Sequence, residues 1–242
     1  HPSNLSTEEI LVRSSNVGSV ILAQKIGEDV FKKFIKNTNL TKVPEIELEE
    51  VGVPHEIKWN KCKIETVSFG HGITTTPLQA TALYASLTNG GNLVTPSLIK
   101  ERNKIETKKI ISNETSKEIS SILRQVVSSE NGTASLADID GYYVGGKTGT
   151  AESYGNNKQR INSFISVFPT KKPNYSLFVM LENPKLNKDL IYNYRGIKTK
   201  APYNTSGWNS VYVAGKIIEK IGPILAINNK DFLNQYVVEK FN

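Results

Sequence analysis

Several features that would quickly assign a chain of 242 residues to a class of protein are missing from this sequence. Cys62 is its only cysteine, which excludes a disulfide bond within the chain. The three histidines form no metal-ligand spacing with Cys62, so we expect neither a metal site nor a cofactor. No run of eighteen apolar residues is present, and the first ten residues lack the apolar region of a signal peptide.

A net charge of +7 could indicate a surface for nucleic acid or for an anionic cell envelope. The lysines are scattered along the chain and form no single run, which favours ordinary solvated faces. We therefore expect no nucleic-acid partner. The chain begins with His1 rather than Met, which suggests an excerpt of a longer protein.

The first half of the sequence carries the patterns of helices. Residues 6–9 form a Ser-Thr-Glu-Glu capping box, which predicts a helix that begins at Thr7. Amphipathic spacing over residues 17–40 predicts one or two further helices, broken near Gly27. Residues 42–63 mix Pro, Glu and Gly without periodicity and predict a long loop.

Two more helices are predicted before the sequence pattern changes. Pro77 stands at the first position of one of them and Gly90 just past its end, which is typical of helix boundaries. We expect this helix to bury Leu78, Ala82, Leu83 and Ala85. The other helix spans residues 113–129 and has an inward apolar face. That face consists of Ile119, Ile122, Leu123 and Val126.

The second half of the sequence predicts a small antiparallel sheet closed by a helix. Apolar runs predict three consecutive strands, at residues 143–151, 162–169 and 175–181, of which the last two form a hairpin. A helix over residues 211–221 is expected to pack on one face of the sheet and to stop at Gly222-Pro223.

This order of elements indicates an α+β fold. We assign residues 1–242 to a single partial domain. It comprises a mainly helical part at 1–135, the sheet strands and closing helix at 136–223, and a C-terminal tail at 224–242. A short terminal helix is expected over residues 228–242.

A lysine among small residues marks the first strand, in the stretch GGKTGT at residues 145–150. Glycines have no Cβ, so another backbone can approach, as an extended peptide beside a strand would. Lys147 offers a compact cation, and the hydroxyls of Thr148 and Thr150 can hydrogen-bond a carboxylate. Backbone N–H groups at the end of the strand can hold an oxyanion. These groups suit an anionic peptide end and a tetrahedral intermediate.

The same stretch also fits the bare pattern of a phosphate-binding loop, because Gly141 lies at the required spacing before Gly146 and Lys147. Such a loop needs a helix after its threonine, whereas residues 149–157 make a poor helix. Two tyrosines and a valine inside the loop would also crowd phosphates. A helix that begins directly at Lys147 would support this rival.

A second motif lies far from the lysine. Penicillin-recognising serine enzymes combine Ser-x-x-Lys, Ser-x-Asn and Lys-Thr-Gly. Ser14-Ser15-Asn16 supplies the second of these motifs. Ser129-Glu130-Asn131 matches it too, but lies too near Lys147 to leave room for the intervening helices.

The chain resembles the C-terminal part of the transpeptidase domain of class B penicillin-binding proteins, and among them the cell-division enzymes most. The resemblance rests on five blocks in family order: SSNVG, SFGHGITTTPLQATALYASLTNGG, GGKTGTAE, SFISVFPTKKPNYSLFVMLENPK and SGWNSVYVAGKIIEKI. It implies the β-lactamase-like serine transpeptidase fold, an antiparallel sheet flanked by helices. The Ser-x-x-Lys helix and first strands of that fold are expected upstream of this chain.

The resemblance also implies roles for individual residues. Ser14 would relay a proton to the departing D-Ala amine, Asn16 would hold the upstream lysine and the substrate amide, and Lys147 would orient Ser14 electrostatically. The Ser14 hydroxyl and the Lys147 ammonium are then expected within hydrogen-bond reach, about 2.6–3.5 Å.

The remaining strand residues are expected to grip the substrate. Thr148 and Thr150 would bind the terminal carboxylate of the peptidoglycan stem peptide, or that of a β-lactam. Gly149 would let the substrate backbone approach, and the Thr150 N–H would supply half of the oxyanion hole.

The family's nucleophile is missing from its expected place, because none of the thirteen residues before Ser14 forms a Ser-x-x-Lys. The pattern does occur at Ser97-Leu98-Ile99-Lys100, but it comes after Ser-x-Asn and follows Pro96 in a segment that we expect to be extended. A serine needs an adjacent base fixed by the fold to become a nucleophile. We therefore interpret Ser97 as a decoy and expect the chain alone to be inactive.

The resulting hypothesis is a peptidoglycan D,D-transpeptidase that acts through a serine acyl-enzyme in septal cross-linking. Its partners would be the D-Ala-D-Ala end of the stem peptide, β-lactams and other division proteins. The resemblance places it on the periplasmic face of the bacterial inner membrane, anchored by an N-terminal segment outside this chain. The alternatives are a β-lactam sensor or inactive penicillin-binding module, and a serine β-lactamase relative.

Overall fold

The computed structural model describes residues 4–100, 108–152 and 159–228. The chain divides into two compact units, residues 1–119 and 120–242, of which the first is mainly helical and the second is built on a sheet. The terminal helix predicted over residues 228–242 falls, beyond its first residue, outside the described part. In the described ranges no helix combines the length and the apolarity needed to cross a bilayer.

The helices of the first unit follow the sequence pattern closely. They are α1 (Thr7–Val12), α2 (Asn16–Ile26), α3 (Glu28–Asn37), α4 (Lys63–Ser68) and α5 (Pro77–Thr88). The predicted capping box is confirmed, since the Glu9 N–H donates to Ser6 Oγ at 3.2 Å and the Ser6 N–H donates to Glu9 Oε2 at 2.9 Å. Gly27, with φ 87°, separates α2 from α3 as expected. Residues 42–62 form neither helix nor strand.

The buried face of α5 differs from the predicted one. Ala82 is buried, but the other buried residues of this helix are polar, namely Gln79, Ser86 and Thr88. Ser86 Oγ donates to the Ala82 carbonyl at 2.6 Å and accepts from the Val94 N–H at 2.8 Å. Gln79 Nε2 donates to the Asn39 carbonyl at 2.7 Å. This face of the helix therefore forms hydrogen bonds with backbone groups of neighbouring loops. The spacing of apolar residues in the sequence does not predict such hydrogen bonds.

The second unit contains the predicted three-stranded antiparallel sheet. Its strands are β1 (Gly145–Glu152), β2 (Arg160–Phe168) and β3 (Tyr175–Glu182), in the order β1-β2-β3. β1 begins two residues later than predicted, because Tyr143, with φ 46°, has a left-handed backbone that a strand cannot include. α6 (Asn113–Ser128) precedes the sheet and buries Leu123 and Val126 as predicted.

A second, two-stranded hairpin was not predicted. It consists of β4 (Ile191–Tyr194) and β5 (Ile197–Lys200). Arg195 and Gly196 connect the strands with φ 53° and 80°, the paired positive values of a tight hairpin turn. The usual sequence signal for this turn is Asn-Gly or Asp-Gly, so an arginine at the first position concealed it.

The closing helix α7 (Ser210–Asn228) packs against β2 and β3, but it does not stop where predicted. It continues through Pro223 for five more residues. Gly222 is a packing residue rather than a terminator, because a Cβ there would lie 2.3 Å from the Tyr142 ring. Tyr142 is buried, so this contact holds the helix just before the proline, where normally one backbone hydrogen bond is lost. Just after the proline, the Tyr175 hydroxyl donates to the Leu225 carbonyl at 3.4 Å.

Candidate active site

The stretch that carries Lys147 is an edge strand of the three-stranded sheet. β1 pairs only with β2 in the described sheet, with Lys147 opposite Ile165 and Thr150 opposite Asn162. No helix begins at Lys147, because residues 145–152 are all extended. The phosphate-binding rival is therefore excluded, since it requires a helix at this point.

Alternation along β1 divides its functional groups between two faces. Lys147 and Gly149 lie on one face of the strand, and Thr148 and Thr150 lie on the other. The cation and the pair of hydroxyls are thus neighbours along the strand edge but project in opposite directions. A ligand laid beside this edge could meet both.

Lys147 is partly buried, and its ammonium donates to the Thr148 carbonyl at 3.2 Å. Burial lowers the pKa of Lys147 to about 8, because removal of water disfavours the charged form. An amine in this range is close to half protonated in mildly alkaline solution. Perturbed groups of this kind are common at functional sites.

The glycines around Lys147 have different neighbours. A Cβ at Gly146 would lie 2.4 Å from the Ile165 carbonyl oxygen, and one at Gly145 would lie 3.0 Å from the Arg124 backbone nitrogen. The backbones that approach these two glycines therefore belong to the protein itself. At Gly149 the close neighbour is a side chain, Ser163 Oγ at 2.6 Å, so a role in admitting substrate stays a prediction for Gly149 alone.

Each of the two threonine hydroxyls contacts a second hydroxyl of the same unit. Thr148 Oγ1 lies 2.9 Å from Thr133 Oγ1, in the loop after α6. Thr150 Oγ1 lies 2.9 Å from Ser206 Oγ, in a short 3₁₀ helix (Ser206–Trp208) before α7. Thr133 and Ser206 were missed at the sequence level, and no motif in the sequence links them to β1.

Ser14 and Asn16 occupy the corner between α1 and α2 in the first unit. Both side chains are exposed, whereas Ser15 is buried and caps α2, accepting from the Gly18 N–H at 3.2 Å. A Cβ at Gly18 would lie 2.5 Å from Ile10 Cγ1, so the two helices meet closely. The corner therefore has a fixed geometry in which the first and third residues of Ser-x-Asn face outward.

Ser14 itself has φ 56°, a left-handed conformation that is uncommon for a residue with a Cβ. Such backbone outliers cluster at functional sites, where the surrounding structure holds them. Ser14 and Asn16 belong to the first unit and Lys147 to the second. Their predicted convergence stays a prediction.

Ser97 lies in an exposed segment without helix or strand, as predicted. Its hydroxyl donates to Glu47 Oε1 at 2.8 Å and accepts from the Ile99 N–H at 3.0 Å. The Ser-x-x-Lys at residues 97–100 is therefore not the start of a buried helix. This environment agrees with the interpretation of Ser97 as a decoy.

The fold is that of a penicillin-recognising transpeptidase. The structure is similar to penicillin binding protein 3 from Mycobacterium tuberculosis complexed with ampicillin, with a TM-score of 0.75 and 23% identity over 90% of this chain and 51% of that one. It is also similar to the transpeptidase domain of penicillin-binding protein 3 from Burkholderia pseudomallei, with a TM-score of 0.75 and 20% identity over 91% of this chain and 65% of that one. The predicted fold class is confirmed.

Sequence comparison gives the family. Residues 1–204 match the penicillin binding protein transpeptidase domain. The chain is 32% identical over 240 residues to a probable peptidoglycan D,D-transpeptidase FtsI of Caulobacter vibrioides, covering 93% of this chain and 39% of the relative. It is 34% identical over 197 residues to stage V sporulation protein D of Bacillus subtilis, covering 73% of this chain and 30% of the relative. The chain belongs to the penicillin-binding protein transpeptidase family, and the resemblance to class B members is confirmed.

Proposed function

We propose that this chain is the substrate-gripping part of a peptidoglycan D,D-transpeptidase of the cell-division type. The observation that carries the proposal is the β1 edge, where a desolvated Lys147 adjoins two threonine hydroxyls that are held by partner hydroxyls. The chain spans 30–39% of the length of the two curated relatives compared above, so the activity proposed is that of a longer protein.

The proposed reaction is acyl transfer through a serine ester. A serine of an upstream Ser-x-x-Lys attacks the carbonyl carbon of the penultimate D-Ala, and the bond to the terminal D-Ala nitrogen breaks. The departing amine takes the proton that the attacking serine has lost, and Ser14 relays it. An amine of a second stem peptide then attacks the ester, which restores the serine hydroxyl and completes the cross-link.

The residues of this chain would bind the substrate and orient the groups that react. Thr148 and Thr150 hydrogen-bond the terminal carboxylate, and the Thr150 N–H stabilises the oxyanion. Lys147 as a cation orients Ser14 and attracts the anionic ligand, while Asn16 holds the upstream lysine and the substrate amide. Thr148, Gly149 and Thr150 lie consecutively on one rigid strand, which supports the common task proposed for them.

The setting proposed for the longer protein follows from the same family. It would lie at the periplasmic face of the inner membrane, anchored by an N-terminal segment, and would bind β-lactams in place of the stem peptide. Its assembly with other division proteins is part of the proposal. Relatives named peptidoglycan D,D-transpeptidases support this setting.

The proposed function predicts a simple pattern of labelling by fluorescent penicillin. The longer protein should form a stable fluorescent adduct, because it would contain the activated serine, whereas the 242-residue chain alone should not. Fluorescence of the protein bands after denaturing electrophoresis measures this difference.

The control is Ser97→Ala, which should leave labelling of the longer protein unchanged. Labelling of the short chain that disappears with Ser97→Ala would show that the assigned nucleophile is wrong. A longer protein that binds no penicillin would contradict the proposed function. Rapid loss of the adduct by hydrolysis would instead indicate a β-lactamase.

A further inference from the structure

The threonine hydroxyls of β1 rest on a small polar shelf formed by Thr133 and Ser206 in the second unit. Ser206 is 1% exposed, and the Ser210 hydroxyl donates to its carbonyl at 3.2 Å. A Cβ at Gly207 would lie 2.7 Å from the Thr133 carbonyl oxygen, so the two segments of the shelf pack directly on each other. The positions of both partner hydroxyls are therefore fixed by the fold.

The protons available on this shelf can be counted. Ser206 Oγ contacts two oxygen atoms, Thr150 Oγ1 at 2.9 Å and the Gly149 carbonyl oxygen. A carbonyl oxygen can only accept, so the single Ser206 proton goes to Gly149. In the remaining contact, Thr150 must be the donor. In this arrangement the Thr150 proton points to Ser206, and Thr150 presents only lone pairs outward.

A carboxylate is also an acceptor only, so it cannot bind to Thr150 in that arrangement. Thr148 differs, because its contact with Thr133 is to one hydroxyl and either oxygen can be the donor. Thr148 can therefore accept from Thr133 and donate to a ligand without any rearrangement. Of the two threonines predicted to bind the carboxylate, Thr148 can therefore donate to it directly, whereas the Thr150 hydroxyl must first turn.

The side chains around Ser206 allow a second arrangement. Ser163 Oγ lies 3.4 Å from the Gly149 carbonyl oxygen, so this carbonyl keeps a donor nearby if Ser206 turns away.

We propose that Ser206 is a positioning residue that sets the direction of the Thr150 hydroxyl. When a carboxylate arrives, the Ser206 proton turns from the Gly149 carbonyl to Thr150 Oγ1, and the Thr150 proton turns to the carboxylate. Only hydroxyl rotations are involved, so no proton is gained or lost. This inference rests on the proposed function, because it concerns the carboxylate that Thr150 is proposed to bind.

The test compares two ligands in the longer protein: benzylpenicillin, which carries the carboxylate, and its methyl ester, which does not. Ser206→Ala should slow acylation by benzylpenicillin roughly 2- to 10-fold, because Thr150 keeps its hydrogen bond to the carboxylate but loses the neutral hydrogen bond that directs its hydroxyl. The rate with the methyl ester should not change. Ser206→Ala should add little to Thr150→Val, because without the Thr150 hydroxyl Ser206 has no group to direct.

Ser166→Ala is the matched control, since it removes a fully buried hydroxyl of the same unit that donates to the Leu177 carbonyl on β3 at 3.3 Å. It should leave the ratio of the two rates unchanged. Ser206→Cys replaces the hydroxyl with a thiol, a weaker donor of similar volume, so its acylation rate with benzylpenicillin should lie between those of the wild-type protein and Ser206→Ala. It provides the test if Ser206→Ala does not fold.

Three results would overturn the inference. Equal slowing with acid and ester would mean that Ser206 only supports the fold, and an unchanged rate with benzylpenicillin would mean that it does not direct Thr150. In both cases the wild-type protein still reacts with benzylpenicillin, so the proposed function survives. A wild-type protein that does not react at all would contradict the proposed function itself.

Discussion

In the longer protein, Lys147→Met should lower the rate of acylation by penicillin by about 10²–10⁴-fold, the range typical of a positioned proton-transfer or electrostatic group. Methionine keeps the length of the side chain and removes the charge that is proposed to orient Ser14. Stopped-flow or gel-based measurement of the acylation rate provides the test.

The stability of the same variant separates lost chemistry from lost folding. The pKa of Lys147 is lowered to about 8, so the fold disfavours the cation, and its removal should leave the melting temperature unchanged or raise it. Lys198→Met, on exposed β5, is the matched control and should change neither quantity. A Lys147→Met protein that reacts at the wild-type rate would contradict the role of the lysine.

The same pKa predicts how pH acts on the wild-type protein. If the cation is required, the acylation rate should fall above pH 8, by about tenfold per pH unit. The free energy of unfolding should instead rise between pH 8 and 10.5, because the unfolded chain holds a proton on Lys147 that the folded chain has lost. Lys147→Met should lack this rise, which can be measured by denaturant unfolding at several pH values.

Ser14→Ala should produce the second large loss, again about 10²–10⁴-fold in the acylation rate. The expected reason is that the departing nitrogen no longer receives a relayed proton. Alanine has the same Cβ as serine, so the substitution leaves the left-handed backbone at φ 56° under the same strain. The change therefore removes the hydroxyl and little else.

The control for Ser14→Ala is again Ser97→Ala, another exposed serine of the first unit. It should react at the wild-type rate. Ser14→Gly offers a second check, because it relieves the backbone strain and should be more stable but equally slow. A Ser14→Ala protein with an unchanged rate would remove Ser14 from the mechanism.

Much of the fold could be predicted because its signals are local. The capping box at Ser6, the proline at Pro77 and the three apolar runs each act within a few residues of themselves. The continuation of α7 through Pro223 could not be predicted, because the side chains that contact it around the proline, Tyr142 and Tyr175, come from far earlier in the chain. Local rules fail where a distant contact decides the outcome.

The candidate site shows the same division. The Lys-Thr-Gly-Thr stretch is visible in the sequence because its residue types are unusual together. The low pKa of Lys147 depends on burial, and the partners of Thr148 and Thr150 come from positions 15 and 56 residues away. Neither has a local signature, so both required the structure.

The polar shelf under β1 also bears on how such a protein can evolve. Its hydroxyls do not titrate in the range where Lys147 does, so the carboxylate recognition proposed for Thr148 and Thr150 would have no pH dependence of its own. The predicted loss of activity at alkaline pH is thus attributed to Lys147 alone, which lies on the opposite face of β1 from the two threonines. Substitutions that change the surroundings of that amine could adapt the protein to a new external pH while its choice of substrate stays the same.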